Sequence, residues 1–134
     1  MIFYGYNKCS TCRDASKWLL FQGITVVSKE IRETPPSREE LQFALEQTGD
    51  VRKILNSSGV EYRAMGLKDR LASLTTDEIF TLIQENGNLC KRPFLIDQVN
   101  GVALAGFKAD EWAKALSCSF DRTAEGNGEL VPLF

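Results

Sequence analysis

The first 31 residues alternate strand, helix and strand, and this order constrains the fold more than any other feature of the chain. Met1 to Tyr6 is an apolar and aromatic run typical of a strand. Residues 11–22 carry apolar side chains at helical spacing before Gly23, and the apolar residues between Ile24 and Ile31 indicate a second strand. Because the connection is long enough for a crossover helix, the two strands are predicted to be parallel.

A helical block follows the second strand. Ser37-x-x-Glu40 and Thr75-x-x-Glu78 are capping-box sequences, and each precedes apolar residues at helical spacing. The stretch between the two predicted helices is mixed: residues 51–55 could form a helical turn or more, residues 56–59 form a turn, and residues 63–74 form a polar helical stretch. The block, at about residues 37–86, is therefore predicted to be an insertion between strands.

The rest of the chain indicates a hairpin and a last helix. Residues 92–97 and 102–105 are strand-like and flank an Asn-Gly pair, which predicts a turn between two antiparallel strands. Lys108 to Leu116 places Trp112 and Leu116 on one helical stripe.

The complete order of elements is that of a thioredoxin-like domain with a helical insertion. We therefore predict an α/β fold, a thioredoxin-like (glutaredoxin-like) four-stranded mixed sheet with a helical insertion. A chain of 134 residues fits one domain. We place that domain at residues 1–117 and expect residues 118–134 to form a C-terminal tail.

Composition excludes several classes of function. The chain contains no histidine, which rules out Ser-His-Asp and Cys-His catalysis within it. A net charge of -2 argues against broad binding to nucleic acid or an anionic membrane. No basic leader and no apolar run of about 18 residues is present. We expect a soluble, cytosolic protein with no direct nucleic-acid or membrane partner.

The Cys-x-x-Cys pair, Cys9 and Cys12, lies where the first strand passes into the first helix. At that position unpaired amide N–H groups and the positive helix end stabilise a thiolate, and Lys8 and Arg13 add nearby positive charge. Cys9 is expected to be the more acidic thiol and the nucleophile. Cys12, one helical turn on, is placed to resolve a mixed disulfide formed at Cys9.

Two other interpretations of the cysteines stay open. Both members of the pair could be small core residues at a helix start, because buried thiols are usually inert. A structural zinc site would need four ligands, and only Cys90 and Cys118 remain, which are not spaced as a second pair. We predict no metal site.

Arg92-Pro93 is the second candidate feature. Thioredoxin-like domains place a cis proline before the third strand, facing the reactive cysteine, and Pro93 has that place in the predicted order. Arg92 would then direct a bidentate donor towards Cys9, suited to an oxyanion or to a carboxylate such as that of glutathione. The alternatives are an ordinary proline at a strand start and a solvated arginine.

With these features the chain resembles the arsenate reductase (ArsC) family, which includes the Spx-like redox proteins, over about residues 1–117. The resemblance is carried by several blocks in the same order: Tyr4-x4-Cys9-x-x-Cys12-Arg13, Thr34-Pro35-Pro36-Ser37-x-Glu39-Glu40-Leu41, Asn56-Ser57-Ser58-Gly59-x3-Arg63, Gly66-Leu67 and Lys91-Arg92-Pro93.

The resemblance implies a cysteine thiolate that attacks arsenate or a disulfide. No cofactor is bound in such a reaction. Glutathione, glutaredoxin or thioredoxin then supplies the electrons from outside.

The family's arsenate reductases surround the oxyanion with three arginines. Arg92 matches one of them, whereas an ungapped placement puts Asn56 and Gly106 at the other two positions. Arg13 and Arg63 are the candidates to compensate. Whether arsenate is the substrate stays open at this point.

Two functions follow from the resemblance. The leading hypothesis is a cytosolic thiol-disulfide oxidoreductase of the ArsC-like group, which includes a glutathione- or glutaredoxin-linked arsenate reductase. The alternative is an Spx-like redox-sensing regulator that binds RNA polymerase without turnover, because Cys-x-x-Cys is the pattern of the Spx-like branch.

Overall fold

The computed structural model describes residues 1–124, with side chains to residue 116. Four strands form one sheet: β1 (Ile2–Gly5), β2 (Val27–Glu30), β3 (Phe94–Asp97) and β4 (Val102–Ala105). Six α-helices accompany them in this part of the chain: α1 (Ser10–Phe21), α2 (Arg38–Thr48), α3 (Val60–Ala64), α4 (Leu67–Arg70), α5 (Thr76–Glu85) and α6 (Ala109–Ala124).

The strand order in the sheet is β2-β1-β3-β4. β1 and β2 are parallel, with Ile2 opposite Val27, as the crossover through α1 predicts. β1 and β3 are antiparallel, and so are β3 and β4. The fold is therefore the predicted thioredoxin-like mixed sheet, with β2 and β4 at its edges.

Helices cover both faces of the sheet. Phe3 and Leu95 project to one face, where they pack with residues of α1 and α6, including Trp112. Tyr4 and Phe94, which adjoin Phe3 and Leu95 in their strands, project to the opposite face and pack against the helical insertion. Burial on both sides explains why Phe94, Leu95 and Ile96 of β3 are all apolar.

The insertion is held to the sheet by a buried polar contact as well as by apolar packing. The Tyr4 hydroxyl donates to Glu40 Oε1 at 2.6 Å. The same oxygen accepts from the backbone N–H of Ser37 at 2.9 Å, while the Ser37 hydroxyl accepts from the N–H of Glu40. The predicted capping box therefore exists, and it also satisfies the buried tyrosine. Burial and the hydrogen bond to Glu40 raise the pKa of Tyr4.

Three local predictions differ from the structure. The helical stretch predicted at 63–74 is divided into short pieces, because Gly66 takes a left-handed conformation (φ 63°) between α3 and α4. The predicted hairpin turn contains Asn100 and Gly101 but is longer than that pair: residues 98–101 form the loop, and Asp97 accepts from the side chain of Asn100 at 2.7 Å. The last helix continues beyond Leu116 to Ala124.

The predicted tail at 118–134 thus begins within α6, and its residues 125–134 lie outside the described part of the chain. The boundary of the domain at residue 117 remains a prediction. Among the described residues, no helix combines the length and the apolar character that crossing a membrane requires.

Candidate active site

Cys9 is the N-cap of α1. Its backbone is extended (φ -94°, ψ 115°), and its sulfur accepts a hydrogen bond from the backbone N–H of Cys12 at 3.3 Å. No acidic residue lies in the first turn of this helix. The positive end of α1 is therefore free of carboxylates and faces a half-buried sulfur.

The pKa of the Cys9 thiol lies below its ordinary value. Partial burial alone would raise it, but hydrogen bonds from the Cys12 thiol and Cys12 N–H outweigh that cost, together with the charge and hydrogen bond of Arg92. The cation that lowers the pKa of Cys9 is thus Arg92, which comes from a distant part of the chain.

Cys12 has the opposite environment. It is buried against the sheet with Phe3 and Ala15, and burial with the hydrogen bond to Cys9 raises its pKa to about 12. The pair is therefore asymmetric: one thiol is poised to ionise and to meet solvent, and its neighbour keeps its proton and donates it towards the first.

Arg92 and Pro93 precede β3. Their peptide bond is cis, as the thioredoxin-like arrangement implies, and the buried Pro93 carbonyl accepts from the N–H of Gly106 at 2.8 Å. Arg92 is half-buried, and its Nη1 donates to Asn88 Oδ1 at 2.8 Å. Its guanidinium carbon also lies 5.4 Å from the centre of the Tyr6 ring.

Asn88 has only one amide orientation that satisfies its partners. Its Nδ2 donates to Glu61 Oε2 at 3.2 Å, which leaves Oδ1 to face Arg92. The side chain of Asn56 donates to the Asn88 carbonyl at 3.3 Å. The insertion thus fixes the loop before β3 and, with it, the direction of Arg92.

A cleft of about 680 Å³ opens beside Cys9. Its charged lining consists of Lys53, Lys91, Arg92 and Lys108 with one carboxylate, Glu111. A chain with a net charge of -2 therefore concentrates positive charge around its reactive thiol.

Some of the other predicted site residues line the cleft, and others lie outside it. Asn56 and Gly106, at the positions where the resemblance expects arginines, both line the cleft. Arg13 instead donates to the backbone carbonyl of Asn7 at 2.9 Å and lines a separate hollow against β2. Arg63 is exposed on α3 and is not part of the cleft lining. The structure brings Cys9, Cys12 and Arg92 together and leaves both compensating arginines outside.

Cys90, the third described thiol, is fully buried, and burial raises its pKa. Cys118 lies outside the residues whose side chains are described. Within the described residues, no three side chains of the Cys, Asp or Glu type cluster as metal ligands would.

Comparisons with known proteins agree with this arrangement. A model of the ArsC family matches residues 4–115. The chain is 41% identical over 113 residues to the uncharacterized protein YusI of Bacillus subtilis, covering 84% of this chain and 94% of that protein. It is 29% identical over 109 residues to the global transcriptional regulator Spx of Listeria innocua, covering 81% and 80%.

A solved structure extends the comparison. The crystal structure of a possible arsenate reductase from Streptococcus mutans UA159 matches with a TM-score of 0.73 and 37% sequence identity. The match covers 81% of this chain and 91% of that one. Sequence and fold together show that the chain belongs to the ArsC family, a family of thiol reductases in which Spx-type regulators are also found.

Proposed function

We propose that the protein is a thiol-disulfide oxidoreductase in which Cys9 is the nucleophile. The observation that carries this proposal is the asymmetry of the pair: Cys9 is accessible at a helix N-terminus with a lowered pKa, and Cys12 is buried with a raised one. Arg92 would hold the anionic part of the substrate. Pro93 would shape the backbone beside it.

The reaction proposed begins when the Cys9 thiolate attacks one sulfur of a disulfide, forms a mixed disulfide and releases the first thiolate. Cys12 then gives up its proton and attacks Cys9, so that the second thiolate leaves and a Cys9–Cys12 disulfide remains. The substrate gains two electrons from the pair. Glutathione, glutaredoxin or thioredoxin returns them, and we place this cycle in the reducing cytoplasm.

Arsenate reduction is a narrower version of the same proposal. It is supported by the family and by the solved relative described as a possible arsenate reductase. In this version Arg13 and Arg63 would have to turn towards Cys9, because neither lines the cleft.

The test is a turnover assay with glutathione disulfide, and separately with arsenate, using glutathione, glutaredoxin and thioredoxin in turn as the reductant. Turnover of either substrate supports a reductase. No turnover with any combination would contradict it.

The Cys12→Ser variant tests the resolving step. If Cys12 resolves the adduct, this variant accumulates a mixed disulfide at Cys9, which intact-mass spectrometry detects after exposure to glutathione disulfide. Unchanged turnover without an adduct would show that an external thiol resolves Cys9 directly.

A second candidate function is a redox-sensing regulator, favoured by the similarity to Spx. Oxidation of Cys9 and Cys12 would then change a surface that binds RNA polymerase. Purified RNA polymerase, mixed with the protein under reducing and oxidising conditions, tests this candidate. Redox-dependent binding without turnover supports the regulator, and turnover without binding contradicts it.

A further inference from the structure

Tyr6 is the residue through which the end of β1 contacts both cysteines. Its backbone carbonyl accepts from the N–H of Cys9 at 3.0 Å, which closes the turn between β1 and α1. Its backbone also hydrogen-bonds to the Cys12 thiol, a contact that partly offsets the burial of that sulfur. The main chain makes both contacts, so they do not explain why residue 6 carries an aromatic ring.

The ring of Tyr6 contacts two arginines that come from different parts of the chain. The guanidinium carbon of Arg32 lies 3.9 Å from the ring centre, and that of Arg92 lies 5.4 Å from it. Both distances fall within the roughly 6 Å over which a cation is attracted to the face of an aromatic ring. The half-buried ring therefore helps to determine where each guanidinium lies.

Arg32 is held from the side of β2. Its Nε lies 3.4 Å from Glu30 Oε1, and Glu30 Oε2 accepts from the backbone N–H of Glu33 at 2.8 Å. Glu30 therefore offsets the charge of Arg32, which would otherwise repel the second guanidinium at the same ring. The end of the edge strand thus anchors the ring that Arg92 contacts.

Arg92 needs more than one support to keep its charge beside a thiol. Arginine has a long, flexible stem, and a single hydrogen bond does not fix the direction of its planar fork. Asn88 Oδ1 accepts from Nη1 at 2.8 Å, and another part of the group hydrogen-bonds to Cys9. The aromatic face of Tyr6 limits the orientations that remain.

From the contacts that join Tyr6 to Arg92 and to both cysteines, we propose that Tyr6 is a positioning residue of the candidate active site. Its ring, anchored by Arg32, holds the Arg92 guanidinium beside Cys9. This inference rests on the proposed role of Cys9 as the nucleophile, and it adds the residue that places the cation of that nucleophile.

The substitution Tyr6→Leu removes the aromatic face and keeps an apolar side chain, while the main-chain contacts stay. Alkylation of Cys9 by iodoacetamide at pH 7 is expected to slow by about two- to fivefold, the effect of losing one cation–π contact at a partly exposed site. Tyr6→Phe keeps the ring and should react at the original rate. An unchanged rate in Tyr6→Leu, or equal slowing in Tyr6→Phe, would overturn the inference.

The pH profile of alkylation separates positioning of a charge from a change in access. If the ring acts through Arg92, the pKa of Cys9 rises in Tyr6→Leu and the profile moves to higher pH. Its maximum rate should then equal or slightly exceed the original, because a more basic thiolate is the better nucleophile. A lower maximum with an unmoved profile would overturn the inference in favour of a steric role.

The two arginines at the ring supply matched backgrounds for the same substitution. In the Arg92→Gln background, Tyr6→Leu should cause no further slowing, because the cation that it positions is absent. In the Arg32→Gln background, the substitution should still slow alkylation, because Arg92 remains. Slowing in both backgrounds would show that the ring acts on Cys9 without Arg92. The reverse pattern would assign the effect to Arg32, and either result would overturn the inference.

Urea denaturation checks that each variant is folded. If Tyr6→Leu does not fold, Tyr6→Met, which is longer and unbranched, takes its place with the same expected slowing. Alkylation needs no disulfide substrate, so failure of the inference and failure of the proposed function are distinguishable. An unchanged profile in the variant would overturn the inference even if the original protein turns over disulfides. A shifted profile without any turnover would contradict the reductase alone.

Discussion

The N-termini of α1 and α2 have the same backbone geometry and opposite chemistry. Ser37 caps α2 in an extended conformation, its hydroxyl accepts from a backbone N–H, and Glu39 and Glu40 fill the first turn with negative charge. Cys9 caps α1 in the same way, but with sulfur, and no acid follows it. The cap at Ser37 therefore stabilises the fold, whereas the cap at Cys9 leaves the positive end of the helix dipole to act on a thiol.

The substitution Cys9→Ser is expected to have the largest effect, because it removes the main difference between the two helix starts. It gives α1 the serine cap that α2 already has. We expect disulfide turnover to fall by about a thousandfold or more, since the hydroxyl is a far weaker nucleophile. The free energy of unfolding should stay within about 1 kcal/mol of the original, because serine is a good cap. Turnover and urea denaturation measure the two effects. Retained turnover would assign the chemistry to another thiol.

The second prediction concerns Arg92, the cation beside the cap of α1. The comparison with α2 offers no equivalent of this side chain. Arg92→Gln is expected to raise the pKa of Cys9 and to slow its alkylation at pH 7 by up to about tenfold. Asn88→Ala, which frees the guanidinium without removing it, should shift the pKa in the same direction by less. The pH profile of iodoacetamide labelling measures both. An unchanged profile in Arg92→Gln would remove Arg92 from the activation of Cys9.

Ser10→Glu makes the first turn of α1 resemble that of α2. The new carboxylate lies at the positive end of the helix and opposes the Cys9 thiolate, so the pKa of Cys9 should rise. Alkylation at pH 7 should slow by about two- to fourfold. Ser10→Gln is the matched neutral control and should alkylate at the original rate. Equal slowing in both variants would point to a steric cause.

Ser37→Ala alters the other member of the comparison and should have the smallest effect on reactivity. Loss of the cap is expected to lower the free energy of unfolding by about 1 kcal/mol, measured by urea denaturation. The rate of Cys9 alkylation should not change. A change in that rate would show that α2 helps to place Cys9, and the two helix starts would no longer be independent.

Features fixed by a few neighbouring residues could be predicted from the sequence. The two capping boxes, the crossover helix and the position of Cys9 at a helix start all depend on contacts within one turn or one crossover. The hairpin strands were predictable for the same reason. Their turn was predicted at Asn100 and Gly101, but its full length was not, because Asp97 holds a longer loop through Asn100.

The rest of the site depends on contacts between distant parts of the chain. Glu61 orients Asn88, and Asn88 directs Arg92, but no spacing in the sequence connects α3 with the loop before β3. Lys53 and Lys108 meet across the cleft for the same tertiary reason. The sequence contained one local indication of the cationic half of the site, the block that contains Lys91 and Arg92. The sequence pointed to the nearby cations Lys8 and Arg13, whereas Arg92 is the cation that lowers the pKa of Cys9 in the structure.

The central claim is that Cys9 ionises more easily than an ordinary thiol, and the pH dependence of its alkylation tests this most directly. The rate of iodoacetamide labelling at Cys9, followed by peptide mass spectrometry, should rise with pH and level off below the usual range of a free cysteine, about 8.5. Cys12 should stay unlabelled in the folded protein until far higher pH. A Cys9 profile that levels off at or above the ordinary cysteine value would contradict the account.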